Sequence, residues 1–267
     1  MNVGLQKTTL VNYPHRVAAA VFLPGCNLRC PYCYNGALVC APVFEGPACK
    51  FSQPGADDYV PIEAVYEHIE KRKSVLQGFV ISGGEALLSP VLPELILRAR
   101  KAGLAVKLDT NGLLPDALSA LLHDQALCPD MVAVDIKTAP SRYGELGMSR
   151  TIAAASSVRQ SAAQCREAAL KRTLMMLRQK ETFCRPVEIE YRTVLVPALV
   201  TAEDVCAISE LLPSDASWFF APFLPGNCLD PAWNAIRPYT QAETEALIRL
   251  AQTKIPGYCQ CRWLRTN

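Results

Sequence analysis

Val17-Ala18-Ala19-Ala20-Val21-Phe22-Leu23-Pro24-Gly25-Cys26-Asn27-Leu28-Arg29-Cys30-Pro31-Tyr32-Cys33 joins an apolar run to a short loop carrying three cysteines. The run reads as a buried strand, and Pro24-Gly25 ends it. Seven apolar residues before Leu-Pro-Gly-Cys also imitate a lipoprotein signal, at the bottom of the roughly 7–15 residues of such an h-region. Pro24 suits that cleavage site poorly, and Met1 to Gln6 show no basic region followed by a long apolar stretch.

The same punctuation recurs along the chain. Strand-like runs follow at Gly78–Ser82, Leu104–Asp109, Met131–Lys137, Val187–Val196 and Ser217–Phe223. Helical patterns fall near Pro61–Lys73, Pro90–Ala102, Pro115–His123, Ser156–Lys180, Ala202–Leu212 and Gln241–Gln252. Several open with a proline beside Glu or Asp, which suits a first helical turn. Six strand-then-helix units predict a mostly parallel sheet covered by helices. Strands buried on both faces are expected to be apolar nearly throughout, as Met131–Ile136 is. Chemistry in such sheets sits at the carboxyl ends of the strands.

Composition narrows the class. The chain has 267 residues, half of them hydrophobic, and 19% charged residues, which argues against disorder. A formal net charge of +2 gives no electrostatic ground for binding nucleic acid or an anionic membrane. Twelve cysteines in a long apolar chain do not suit a disulfide framework. No segment approaches the ~20 apolar residues of a membrane-spanning helix. A cytoplasmic chain with reduced thiols is expected.

The loop Cys26-x3-Cys30-x2-Cys33 places three soft thiolates together, the donor set of an iron–sulfur cluster with one iron left open. A structural zinc closed by a distant fourth cysteine, or chance, is the alternative. After the second run comes Gly83-Gly84-Glu85, where glycines let the backbone approach a ligand and Glu85 can accept from an ammonium or position the loop. The third ends in Asp109-Thr110-Asn111-Gly112 and the fourth in Asp135-Ile136-Lys137; either alone reads equally as a turn. Arg192 lies inside an apolar run, costly unless it meets an anion or acceptors, and a structural ion pair explains it as well.

Taken together, the cysteine loop with its aromatic Tyr32, the Gly-Gly-Glu turn, the Asp-Thr-Asn-Gly and Asp-x-Lys ends and Arg192 before Val196-Pro197 resemble the radical S-adenosylmethionine (SAM) superfamily. Within it they resemble the activating enzymes of glycyl radical enzymes, closest to the anaerobic ribonucleoside-triphosphate reductase activating proteins. The resemblance implies a partial (β/α)6 TIM-like barrel in one domain spanning residues 1–267. It implies a [4Fe-4S] cluster on Cys26, Cys30 and Cys33, whose fourth iron binds the amino and carboxylate groups of SAM. SAM contacts are implied at Tyr32, Gly83, Gly84, Glu85, Asp109, Thr110, Asn111, Asp135, Lys137 and Arg192, with a monovalent cation held by Asp109, Thr110 and Asp135. The reduced cluster would pass one electron to the sulfonium, giving methionine and a 5′-deoxyadenosyl radical that takes a glycine hydrogen from a partner glycyl radical enzyme. A flavodoxin- or ferredoxin-type protein would supply the electron. No acid–base residue is assigned, because the cofactors carry the chemistry.

Departures bear on the partner. Tyr34-Asn35 stands where the subgroup has His-Asn, Ala86 where a proline is frequent, and Asn12-Tyr13-Pro14-His15 where it opens Asp-Tyr-Pro-Gly. Long connections at about 36–58 and 144–180 border the expected site. These features keep open a radical SAM enzyme for a small molecule or peptide, and, from a third class, a non-enzymatic iron–sulfur or zinc protein. Cys40, Cys49, Cys259 and Cys261 lack cluster spacing, but could meet in space as a second metal site.

Overall fold

The computed structural model describes residues 1–40, 58–147 and 156–262. Nine strands form one sheet: β1 Asn2–Thr9, β2 Ala18–Leu23, β3 Asp58–Pro61, β4 Gly78–Gly83, β5 Ala105–Thr110, β6 Met131–Asp135, β7 Glu188–Leu195, β8 Ser217–Pro222 and β9 Tyr258–Cys261. Their order is β3-β1-β2-β4-β5-β6-β7-β8-β9. From β2 to β9 every pairing is parallel, while β1 lies antiparallel to both β2 and β3. The helices are α1 Gly36–Cys40, α2 Ile62–Arg72, α3 Leu92–Lys101, α4 Pro115–His123, α5 Ser156–Leu177, α6 Ala202–Ser209 and α7 Gln241–Lys254. This is the α/β partial barrel expected, with six strand–helix units and three further strands at its edges.

Alternation along each strand separates two environments. Val21, Ile81, Leu108, Val134 and Trp218 point into one large apolar core with Ile96, Leu122, Leu174, Ile208 and Ile248 of the helices. On the opposite face, Ala18, Ala20, Val80 and Met131 make a small cluster with Phe22 and Ala105. The residues two and four positions beyond Ala105 on that face are Lys107 and Asp109. So the expectation of apolar strands on both faces fails here: the inner face carries Lys107, Asp109, Asp135, Glu190 and Arg192, because it lines the site rather than a helix layer.

Local chemistry fixes the helix starts. Pro93 and Pro115 sit in the first turns of α3 and α4. Thr201 with Asp204 and Thr240 with Glu243 form capping boxes that satisfy otherwise unpaired N–H groups of α6 and α7. Of the long connections, residues 41–57 and 148–155, with Cys49, lie outside the described residues. Much of the second connection is α5 itself, followed by a 3-10 turn at Lys180–Thr182. Cys259 and Cys261 stand on β9, the sheet edge opposite β3.

Candidate functional site

The cysteine loop leaves the carboxyl end of β2 and is held from several sides. Gly25 adopts φ 91°, the left-handed region a glycine enters without steric cost. Its N–H donates to the Leu38 carbonyl, and its own carbonyl accepts from the Glu85 N–H at 2.8 Å. Arg29 folds back, its Nη1 donating to the carbonyls of Cys26 and Leu28 at 2.8 Å each. The chain after β8 closes the other side: Leu229 N–H donates to Cys33 O and Asp230 N–H to Pro31 O, at 2.8 and 2.9 Å. Trp233 lies 6.3 Å from the Tyr32 ring, centroid to centroid.

Gly83 and Gly84 have a tighter constraint than approach to a ligand. A Cβ on Gly83 would stand 2.2 Å from the Leu23 carbonyl oxygen, and one on Gly84 would stand 2.0 Å from that of Gly25. The paired glycines press the end of β4 onto the root of the cysteine loop. Glu85, next in line, is buried and acts as the loop positioner. Its Oε1 accepts from Thr110 Oγ1 at 2.8 Å and Leu87 N–H at 3.1 Å, and its Oε2 accepts from Asn111 N–H at 2.7 Å. Burial raises its carboxyl to about 7, against the pull of those three donors. Asn111 in turn donates through Nδ2 to Asn27 Oδ1 at 2.7 Å, bringing the end of β5 onto the cysteine loop.

Beside the loop runs a chain of charges. Asp109 Oδ1 accepts from Lys107 Nζ at 2.7 Å, and its Oδ2 faces Arg192 Nη1 at 3.2 Å. Asp135 Oδ1 accepts from Arg192 Nε at 2.7 Å, and its Oδ2 from Lys137 Nζ at 3.0 Å. Burial would raise both carboxyls, yet Arg192 with Lys107 holds Asp109 below its ordinary range, and Arg192 with Lys137 holds Asp135 well below it. Burial pulls Lys107 down, opposed by Asp109. The Lys137 ammonium is raised: burial works against it, and Asp135 and Cys30 together overcome burial. The strip continues inward, where buried Glu190 takes both Nη1 and Nη2 of Arg262 at 3.0 and 2.6 Å.

The three thiols and this strip share one environment. Burial raises Cys30 to about 12 and raises Cys26; Lys137 pulls both down, and Asp135 pushes Cys30 up. Tyr34, 57% exposed after the last cysteine, feels the same Lys137 and Asp135. The donor set fits an iron–sulfur cluster. Three thiols share one short loop whose backbone is held by Leu38, Arg29, Leu229 and Asp230, and beside them Tyr32 Oη and Asn35 Oδ1 are buried without a hydrogen-bond partner among the described residues. A monovalent cation at Asp109, Thr110 and Asp135 does not fit this arrangement. All four carboxylate oxygens already face Lys107, Lys137 or Arg192. The Thr110 hydroxyl donates to Glu85 and accepts from Gly112 N–H.

The structure thus brings every expected site residue to the carboxyl ends of β2, β4, β5, β6 and β7, with Arg192 within its strand. Lys107, Asn27, Glu190 and Arg262 are additions. Lys107 carried the signal that singled out Arg192, a charge inside an apolar strand.

Comparison with known proteins agrees with this geometry. Residues 20–189 match the Radical SAM superfamily. The chain is 25% identical over 255 residues to a protein of Methanocaldococcus jannaschii provisionally named a glycyl-radical enzyme activating enzyme, covering 94% of this chain and 92% of that one. Over 129 residues it is 33% identical to the 7-carboxy-7-deazaguanine synthase of Methanopyrus kandleri, covering 45% of this chain and 48% of that one. Among solved structures, QueE from Escherichia coli superposes with TM-score 0.54 at 16% identity, over 98% of this chain and 94% of that one. SuiB of Streptococcus suis bound to S-adenosylmethionine superposes with TM-score 0.57 at 12% identity, over 90% of this chain but 51% of its own length. With the family matched across most of the barrel, the chain belongs to the radical SAM superfamily, and that membership implies its [4Fe-4S] cluster and S-adenosylmethionine.

Proposed function

We propose that this radical SAM enzyme activates a glycyl radical enzyme, taking a hydrogen from a glycine Cα of that partner. The observation that carries the reading is the juxtaposition of the three-cysteine loop with the Asp109–Arg192–Asp135–Lys137 strip at the strand ends of an open sheet. When bound, the cluster and SAM supply the 5′-deoxyadenosyl radical. The residues of this chain bind and orient. Cys26, Cys30 and Cys33 would hold the cluster, Glu85 fixes the two loops that flank it, and Arg192 and Lys137 offer a cationic edge to a carboxylate. Tyr32, Gly83, Gly84, Asn111, Asp109 and Thr110 would make the remaining contacts with SAM. Similarity to the M. jannaschii protein along nearly the whole of both chains favours a protein substrate. A cytoplasmic setting and a flavodoxin- or ferredoxin-type donor belong to this reading.

A second reading, action on a small molecule, is favoured by the partial similarity to 7-carboxy-7-deazaguanine synthase. Anaerobic reconstitution with iron, sulfide, SAM and dithionite should yield 5′-deoxyadenosine, and Cys30→Ala should lose both bound iron and that product. A fully iron-loaded chain that forms none would sink both readings. A glycyl-radical EPR signal on a glycyl radical enzyme encoded beside this chain would decide for the first.

A further inference from the structure

Lys107 has no role in the reading above, yet it is wholly enclosed, at 0% side-chain exposure, beside an Asp109 that is 13% exposed. It lies two residues before Asp109 on β5, so the strand's period of two places both on the inner face. With Lys107 in position, the four oxygens of Asp109 and Asp135 each meet a cationic nitrogen at 2.7–3.2 Å. A metal cation entering between these carboxylates would have to displace one of those nitrogens, and would face the guanidinium of Arg192 as a like charge in a partly buried space. The third oxygen expected for it, that of Thr110, is turned to Glu85 and Gly112.

We infer that the ammonium of Lys107 stands in for an exchangeable monovalent cation beside Asp109 and Asp135, and that SAM binding by this chain is therefore independent of sodium and potassium. This rests on the reading of the strip as part of the SAM site. The physical advantage is permanence. A charge tethered to the strand is present at any salt composition and loses no translational freedom on taking its place. Lys107 is thus a positioning residue, acting through Asp109 and Arg192.

The test is SAM affinity of the cluster-reconstituted protein, measured by equilibrium dialysis in choline, sodium and potassium chloride at one ionic strength. The wild-type dissociation constant should agree within about twofold across the three salts, and Lys107→Met should bind about tenfold more weakly in choline and recover in potassium. Wild-type binding that strengthens about tenfold or more in potassium over choline would overturn the inference while leaving the SAM site in place. So would a folded Lys107→Met protein that binds SAM as the wild type does in choline. Absence of SAM binding in every salt would instead sink the reading of the site, and the inference with it. The wild-type salt series needs no variant, so it decides even if Lys107→Met fails to fold.

Discussion

Glu85 Oε2 accepts the backbone N–H of Asn111 at 2.7 Å, tying the loop after β4 to the loop after β5. The same carboxyl holds the Thr110 hydroxyl and the Leu87 N–H, so one buried side chain sets the spacing of two loops beside the cysteines.

That carboxyl gives a pH signature. Burial lifts it from the ordinary 4.5 to about 7, so it holds its proton more tightly folded than unfolded. Its stability contribution is therefore complete below about pH 4.5 and is lost as pH rises through about 7. Glu85→Gln removes this titration. Urea unfolding across that window should show the wild type losing roughly 3 kcal/mol relative to the variant as pH rises. A constant difference between the two proteins would count against a buried, titrating Glu85.

Gly84→Ala should destabilise by about 3 kcal/mol and displace the cysteine loop, because the new Cβ meets the Gly25 carbonyl 2.0 Å away. Thermal unfolding and iron content after reconstitution should both fall. Gly103→Ala offers a comparison, since a Cβ there meets nothing within 4 Å. That change carries only the strain of its φ of 77° and should leave iron loading intact.

Arg192 bridges Asp109 and Asp135, so these residues should not behave independently. Arg192→Met and Asp135→Asn are each expected to cost about 3 kcal/mol, because each leaves a partly buried charge short of a partner. Their combination should cost clearly less than the sum in a double-mutant cycle. Additive losses would mean that the 2.7 Å contact between them contributes nothing.

The inner end of the strip should behave alike. Arg262→Met leaves the buried Glu190 carboxylate unpaired, at about 3 kcal/mol. Adding Glu190→Gln should recover part of that loss in chemical denaturation, whereas a deeper loss would mean that Glu190 is needed for contacts other than Arg262.

Much of this was legible from residues alone, for a physical reason. Strands such as Gly78–Gly83 and Met131–Asp135 are buried against helices, so their apolar runs stand out, as do the proline-led starts of helices such as α3 and α4. The strands that escaped notice are at the edges. β1 and β3 pair antiparallel at one side, and β9 is four residues ending in Cys259-Gln260-Cys261, which draw attention as thiols rather than as a strand. The gathering of these residues at the strand ends was also legible, since chemistry-bearing types follow each strand. Their pairing was not. That Asp135 stands opposite Arg192 is a matter of register between β6 and β7. Nor was it visible that Asp109 stands between Arg192 on the next strand but one and a lysine two residues upstream on its own strand.

The hydrogen bonds from Leu229 and Asp230 to Cys33 and Pro31 have a temporal meaning. The cysteines emerge early during synthesis, yet the segment that shuts their loop belongs to the last quarter of the chain. Until β8 has formed and that segment has docked, the thiols sit on a loop missing one wall. Contacts of such long sequence separation form late and slowly. A cysteine loop walled on that side therefore requires nearly the whole polypeptide to have folded.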